Sequence, residues 1–273
     1  MSLSVSPQIT TLNQGNAYWM ARLSALSYLK VAPHNQMPDE VEILTKLQAE
    51  DPLFISVKGW NKNSAQAIVV EHRDYIAMVF RGTNETLDWL DNLNAFAIPQ
   101  LFGKFHRGFW QSLEDVWQPM LERYNTLFHA AKRPIYFTGH SLGGAMAMAA
   151  AAKFVHADRP FNNLYTFGQP RTMTRSTARI FNDECRSRSF RFHNNNDIVT
   201  RVPTRSMGYS HAGSYLYIDQ DLKLHRDPSN WLKFLDWVEG ALEAIHESGI
   251  DAVTDHHIDH YIHALKRWEF VTS

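Results

Sequence analysis

Residues 139–144 read Gly-His-Ser-Leu-Gly-Gly, a Gly-x-Ser-x-Gly turn set between a short β-type run at Ile135 to Phe137 and an alanine-rich helical stretch. A serine hydroxyl is a poor nucleophile at neutral pH. It becomes useful when a sharp strand-to-helix turn exposes it, a base takes its proton and backbone N–H groups await the oxyanion. Glycines at 139 and 143 keep Cβ atoms out of a crowded turn that forces the serine into a strained backbone geometry. Gly144 and the alanines at 145, 147 and 149–152 let the following helix pack close to a sheet. A loop serine between flexible glycines is the bland alternative. The strand-before, helix-after context favours Ser141 as the nucleophile of an acyl transfer.

Such a serine needs a base and a group to orient it, and enzymes with this turn place them in the order Ser, then Asp or Glu, then His. The β-type run Ser189 to His193 leads into Asn194-Asn195-Asn196-Asp197, a turn-forming cluster that ends in a carboxylate. That position, at the end of a strand, predicts Asp197 as the orienting acid; its alternative use is an Asx turn capping the loop. Asp219 and Asp221 are rivals, but the tip of a hairpin is a poor place for a buried acid. For the base, Asp255 to His263 offers four histidines, at 256, 257, 260 and 263. Read as helix, 256, 260 and 263 share a face and 257 points elsewhere. A catalytic histidine on the loop before a helix suits His256 or His257.

The elements that must position these groups follow from periodicity. Helical spacing predicts helices over Asn16 to Lys30 and Pro38 to Ala49, the second with Val41, Leu44 and Leu47 inward. Phe54 to Val57, Gln66 to Glu71 and Asp74 to Phe80 read as strands, the last two joined by a hairpin at His72-Arg73-Asp74. Periodicity is lost from Arg81 to Phe109. Gln111 to Lys132 is helical, interrupted or restarted near Pro119, which lacks the N–H that a helix interior requires. Leu164 to Phe167 is a strand and Arg175 to Arg186 a helix. Tyr215 to Ile218 and Leu222 to Leu224 pair across Asp219-Gln220-Asp221, and Asn230 to Trp268 is mostly helical. Strands alternating with helices predict an α/β protein with a mainly parallel, doubly wound sheet, in one domain over residues 1–273.

Bulk composition narrows the class. A net charge of −1 gives no electrostatic case for nucleic acid. No run of 18 apolar residues is present, so no transmembrane segment is expected. Cys185 is the sole cysteine, which rules out an intrachain disulfide and a cysteine-based zinc site. Residues 1–15 lack a basic-then-apolar leader. These two features favour the cytoplasm, although a secreted chain shorn of its leader would read the same.

Several motifs in series make the chain resemble the class 3, or fungal-type, lipase family of α/β-hydrolases, over roughly residues 50 to 265. Phe80-Arg81-Gly82-Thr83 is similar to the family's strand and oxyanion loop, and Asp88 to Leu93 to the segment after it. His106-Arg107-Gly108-Phe109 resembles the start of the next helix. Gly139 to Gly144, Thr166 to Arg171, and Asp197-Ile198-Val199 followed by Pro203 match the family's G-H-S-L-G-G, T-F-G-Q-P-R and D-x-V…P stretches. Many members place the catalytic histidine five residues before a tyrosine that opens the last helix. His256 stands so before Tyr261; a shorter spacing in some members keeps His257 as the alternative, with His260 behind it.

The resemblance implies an α/β-hydrolase fold and hydrolysis of carboxylic esters of lipids, as a triacylglycerol lipase or carboxylesterase, through Ser141, Asp197 and His256. It implies an oxyanion hole at Thr83 and the backbone N–H of Leu142, with no cofactor and no metal. By the same analogy Trp89, Leu90, Leu93, Phe96 and Phe102 form a lid or acyl-pocket wall that meets a lipid–water interface; a helix and loop packed on the core would read alike. Alternatives within catalysis are a phospholipase A1 and a soluble short-chain or aryl esterase. Outside it stand a non-catalytic binding protein on the same fold and, weakly, a metal site at His256-His257-Ile258-Asp259-His260, which approximates the H-x-x-E-H of inverted zinc peptidases. The family's secreted fungal members carry disulfides, which this chain cannot form.

Overall fold

A computed structural model describes residues 3–83, 96–227 and 255–271 of the protein. Its main sheet is built from β1 (Phe54–Lys62), β2 (Ala65–His72), β3 (Ile76–Phe80), β4 (Ile135–His140), β5 (Asn163–Phe167), β6 (Ser189–Asn194), β7 (Ser214–Ile218) and β8 (Leu224–Arg226). These eight strands lie side by side in chain order. The pairs from β3 to β7 are parallel, and the outer pairs β1–β2, β2–β3 and β7–β8 are antiparallel. Every crossover between parallel strands therefore returns to the next position, and the loops leaving β3, β4, β5 and β6 open on one edge of the sheet. Ser141 and Asp197, the expected nucleophile and acid, follow β4 and β6 on that edge.

The helices are α1 (Gln14–Leu26), α2 (Glu40–Glu50), α3 (Arg107–Ala130), α4 (Leu142–His156), α5 (Arg175–Cys185) and α6 (Ile258–Arg267). Strand side chains alternate between two apolar layers, as a period of two requires. On β3, Ile76, Met78 and Phe80 join the layer with α3 and α4, while Ala77 and Val79 join the layer with α1 and α6. Buried on every side, the central strands read as continuous apolar runs rather than alternating ones. Ala145, Ala147 and Ala149–Ala152 are fully buried, so α4 lies close against the sheet with its N-terminus at residue 141.

Among the described residues the predicted elements are present with shifted limits; of the helical stretch expected over Asn230 to Trp268, Ile258–Arg267 is helix and residues 230–254 lie outside the described residues. The first strand runs to Lys62, five residues beyond its apolar stretch, because its outer half pairs with β2 through exposed residues. In α2 the inward pair is Ile43 and Leu47, and Val41 is exposed. Helix α3 is continuous through Pro119, so the expected break is absent. Its buried stripe, Leu113, Val116, Trp117, Met120 and Tyr124, spans the proline on both sides, and that packing outweighs one lost backbone bond. The segment without periodicity contains a hairpin, Ala97–Gln100 against Gly103–His106, in a smaller antiparallel sheet with Met173–Thr174 and Tyr209–Ser210.

Candidate active site

Ser141 sits between β4 and α4 with φ +60° and ψ −132°, a strained conformation for a residue with a Cβ. The strain is imposed from outside. A Cβ on Gly143 would meet the Phe80 carbonyl oxygen at 2.0 Å, so helix and strand approach to backbone contact here. The Ser141 N–H donates to the Phe167 carbonyl at 2.9 Å, tying the turn to the end of β5. Its side-chain oxygen is buried and has no hydrogen-bond partner among the described residues. Leu142 opens α4, so its N–H belongs to the first turn, where helix N–H groups have no partner within the helix and the dipole favours negative charge.

Asp197 follows β6 and is fully buried. Its carboxylate accepts from His256 Nδ1 at 2.9 and 3.0 Å, from the Tyr261 hydroxyl at 2.5 Å and from the Val199 N–H at 3.0 Å. Burial alone would raise its pKa. The charge and hydrogen bond of His256, with the Tyr261 hydroxyl, outweigh burial and hold it below the usual carboxylate range. His256 Nε2 is also buried without a partner among the described residues. A Cβ on Gly168 would fall 2.8 Å from both Asp197 Oδ2 and His256 Cε1, and the residue has φ +57°, so only glycine leaves the pair room.

The structure thus brings Asp197 and His256 into direct contact, beside the β5 end that holds Ser141. His257 is exposed at the N-cap of α6, with no side-chain capping bond, and is not at the carboxylate. Asp219 accepts from the Asp221 and Lys223 N–H groups and from His225, shaping the β7–β8 hairpin. Thr83 follows β3, and a Cβ on its neighbour Gly82 would lie 2.8 Å from Ser141 Cβ, so the loop abuts the nucleophile turn. Trp89, Leu90 and Leu93 lie outside the described residues. Phe96 is 57% exposed, with the Arg107 guanidinium over its ring. Phe102 does not fit the acyl-pocket expectation. Its ring packs on Phe105 and lies 6.4 Å from His156, at the far end of α4 and about 22 Å along that helix from Ser141.

Three contributors escaped the sequence. Tyr261 entered only as a spacing marker, yet it holds the acid and accepts from the Asn194 N–H at 3.1 Å. Tyr28 and His140 also meet at the site, with Tyr28 Oη 2.8 Å from His140 Nδ1 and His140 Nε2 2.6 Å from the His256 carbonyl. Only the histidine, inside the serine motif, carried any signal. Tyr261→Phe removes one donor to a buried charge and strands one buried N–H. A loss of about 1–3 kcal/mol in unfolding free energy is expected by denaturant titration, with kcat down about tenfold; unchanged values for both would contradict the role of Tyr261.

Burial pushes His140 and His193 down to about 3. An unfolded histidine titrates near 6.5. As pH falls below that value, the unfolded chain takes up protons that these two imidazoles refuse, so stability present above about pH 6.5 is lost toward about pH 3. Asp197, with a lowered pKa, adds a loss in the acid part of that window. Melting temperatures should therefore decline steadily from about pH 7 to about pH 5; a flat profile would mean that the buried imidazoles are protonated in the folded protein.

Residues 77–207 match the class 3 lipase family. The chain is 29% identical over 163 residues to the secreted mono- and diacylglycerol lipase A of Penicillium cyclopium, covering 57% of this chain and 52% of that protein. A lipase of Rhizomucor miehei is 31% identical over 154 residues, covering 52% and 41%. The chain thus spans about half the length of the curated relatives it matches. Among solved structures, a triacylglycerol lipase whose catalytic centre is a serine protease triad superposes with a TM-score of 0.62 at 27% identity, covering 74% of this chain and 78% of that one.

These relatives overturn the cytoplasmic expectation, because the Penicillium protein and further fungal relatives are named as secreted. A lone cysteine does not discriminate here: a chain that buries two extended apolar layers has no need of a disulfide to fold. The mainly parallel sheet in sequential order, the serine turn at its edge and these matches agree. Residues 77–207 thus resemble the class 3 lipase family, on a chain with the α/β-hydrolase fold of the solved lipases.

Proposed function

We propose that this protein hydrolyses carboxylic esters of lipids through an acyl-enzyme on Ser141, with His256 as general base and acid and Asp197 as its orienting group. The observation that carries the reading is the buried Asp197–His256 pair next to a strained, buried serine at the N-terminus of a helix. His256 Nε2 takes the Ser141 proton as Oγ attacks the ester carbonyl, then gives it to the departing alkoxide. Water repeats the sequence on the acyl-enzyme and releases the acid. Asp197 fixes the proton on Nδ1 and stabilises the imidazolium without becoming protonated. The oxyanion falls to the Leu142 N–H at the positive end of α4 and to Thr83 on the abutting loop. Residues 1–273 act as one domain in this reading, supported by one continuous main sheet with an apolar layer on each face.

The named acylglycerol substrates of the relatives support an acylglycerol ester, and the exposed Phe96 ring supports action at a lipid–water interface. A fluorophosphonate probe tests the chemistry: it should label Ser141 in the folded wild type, and no labelling would favour a non-catalytic binding protein. Rates over ester chain length and head group then assign the substrate. Monoacyl- and diacylglycerols should exceed phospholipids and short-chain aryl esters, and turnover should jump as the ester passes its solubility limit. Preference for a phospholipid would make the protein a phospholipase A1, and smooth saturation through the limit would make it a soluble esterase.

A further inference from the structure

The buried imidazole of His140 is one residue from the nucleophile and takes no part in the proton transfers described above. Its two nitrogens nonetheless have defined partners, and their directions are forced. The His256 carbonyl can only accept, so His140 Nε2 carries a hydrogen and donates to it at 2.6 Å. Burial and the neighbouring His256 keep the ring neutral, which leaves Nδ1 as a lone pair. The Tyr28 hydroxyl, 2.8 Å away, must therefore donate to Nδ1. The Tyr28 oxygen also abuts the oxyanion loop: a Cβ on Gly82 would lie 2.3 Å from it. One arrangement of protons satisfies the series: Tyr28 O–H to His140, His140 Nε2–H to His256.

These residues adjoin the three working parts of the site. Gly82 precedes Thr83, His140 precedes Ser141, and His256 is the proposed base. From the opposite side, the Asn194 side chain donates to the Asp255 carbonyl at 2.9 Å, and the Asp255 carboxylate accepts from Asn195 and Asn196. The loop carrying His256 is thus gripped by the acid's own turn on one side and by His140 on the other. The His140 ring also faces the His256 ring, with centroids 4.4 Å apart, so a charge on His140 would oppose the imidazolium that forms during acylation.

We propose that Tyr28 and His140 are positioning residues: together they lock the His256 backbone, the serine turn and the oxyanion loop into one register, with His140 held as the Nε2–H tautomer. The proposal rests on the hydrolase reading above. Its consequence is that removing the Tyr28 hydroxyl strips Nδ1 of its donor and leaves the His140 ring anchored only by Nε2–H on the His256 carbonyl, free to shift with the base's backbone. Because a misplacement of about 1 Å in a catalytic group can cost about 10²-fold in rate, the effect should appear in kcat rather than in KM.

The test combines imidazole ¹⁵N spectroscopy of the full chain with kinetics on a soluble ester. Wild-type His140 should show the neutral Nε2–H pattern with a hydrogen-bonded Nδ1, and Tyr28→Phe should keep that tautomer with its Nδ1 signal moved to that of an unbonded lone pair, kcat lowered about tenfold and KM within about twofold. His140→Leu should lose about 10²-fold in kcat. His140→Gln, whose amide can donate to the His256 carbonyl and accept from Tyr28, should return to within about fivefold of wild type. A wild-type Nδ1–H tautomer, folded Tyr28→Phe with unchanged kcat and Nδ1 signal, or a glutamine variant no better than leucine would each overturn the proposal. If His140→Leu does not fold, the Nδ1 signal and kinetics of Tyr28→Phe decide. A wild type that a fluorophosphonate cannot label sinks the hydrolase reading and the positioning role with it. A labelled wild type with indifferent variants sinks the positioning role alone.

Discussion

Ser141→Ala is expected to lower kcat by about 10⁶-fold while leaving the folded protein as stable as before or more so. The two halves of this expectation have separate causes. Loss of Oγ removes the atom that forms the acyl bond, and neither the base nor the oxyanion donors can substitute for it. Stability behaves differently because the buried Oγ has no hydrogen-bond partner among the described residues. A desolvated hydroxyl without a partner costs about 1–3 kcal/mol, and alanine removes that cost while keeping the strained backbone unchanged. Initial rates on a soluble ester, with melting curves of both proteins, check the pair. A variant that melts markedly lower would show that Ser141 supports the fold through a contact that the geometry does not contain. Thr83→Ala supplies the comparison: one lost oxyanion donor should cost only about 10²–10³-fold. Equal, total loss in both variants with native circular dichroism would give Thr83 a larger part in the reaction.

Asp197→Asn should cost about 10⁴ in kcat with KM nearly unchanged, the magnitude seen for this change in serine-protease triads. The carboxylate accepts from His256 Nδ1 with both oxygens, so Nδ1 is protonated and Nε2 is free to take the serine proton. An asparagine can keep its carbonyl oxygen toward the Val199 N–H, which donates to Oδ1 in the wild type. Its NH₂ then faces Nδ1 and selects the tautomer with the proton on Nε2, which cannot act as a base. The fold should survive, because volume and most polar partners are kept. Fluorophosphonate labelling should slow in parallel with kcat, since both require the same proton transfer. A loss of less than tenfold would return the orienting role to another carboxylate. Asp197→Ala should do more harm, leaving the Tyr261 hydroxyl and the Val199 N–H stranded in the interior.

Much of this site was legible in the chain because its key constraints are local. The serine turn needs glycines where backbones touch, and those glycines sit beside the serine in sequence. The apolar runs of β2 and β3 and the alanine run of α4 likewise report their own burial. Asp197 was identifiable because a turn-forming cluster at a strand's end leaves a carboxylate on the working edge of a parallel sheet. The limits of α2 and α3 were less legible. The exposure of Val41 and the continuity of α3 through Pro119 depend on which neighbours cover each face.

The sequence by itself determined the class of fold and pointed to Ser141 and Asp197 as the proposed nucleophile and acid; the tertiary structure decided which histidine meets that carboxylate. Four histidines within eight residues differ little in local pattern. They are separated by where α6 docks: it buries Tyr261, Ile262, Ala264 and Leu265 in the apolar layer shared with α1. That docking carries the Tyr261 hydroxyl to Asp197 and delivers His256 to the same carboxylate, while His257 turns to solvent. Tyr28 and His140 became visible for the same reason. Hydrogen bonds between residues 112 and 116 positions apart leave no periodic trace in the chain, and only packing brings their atoms within reach.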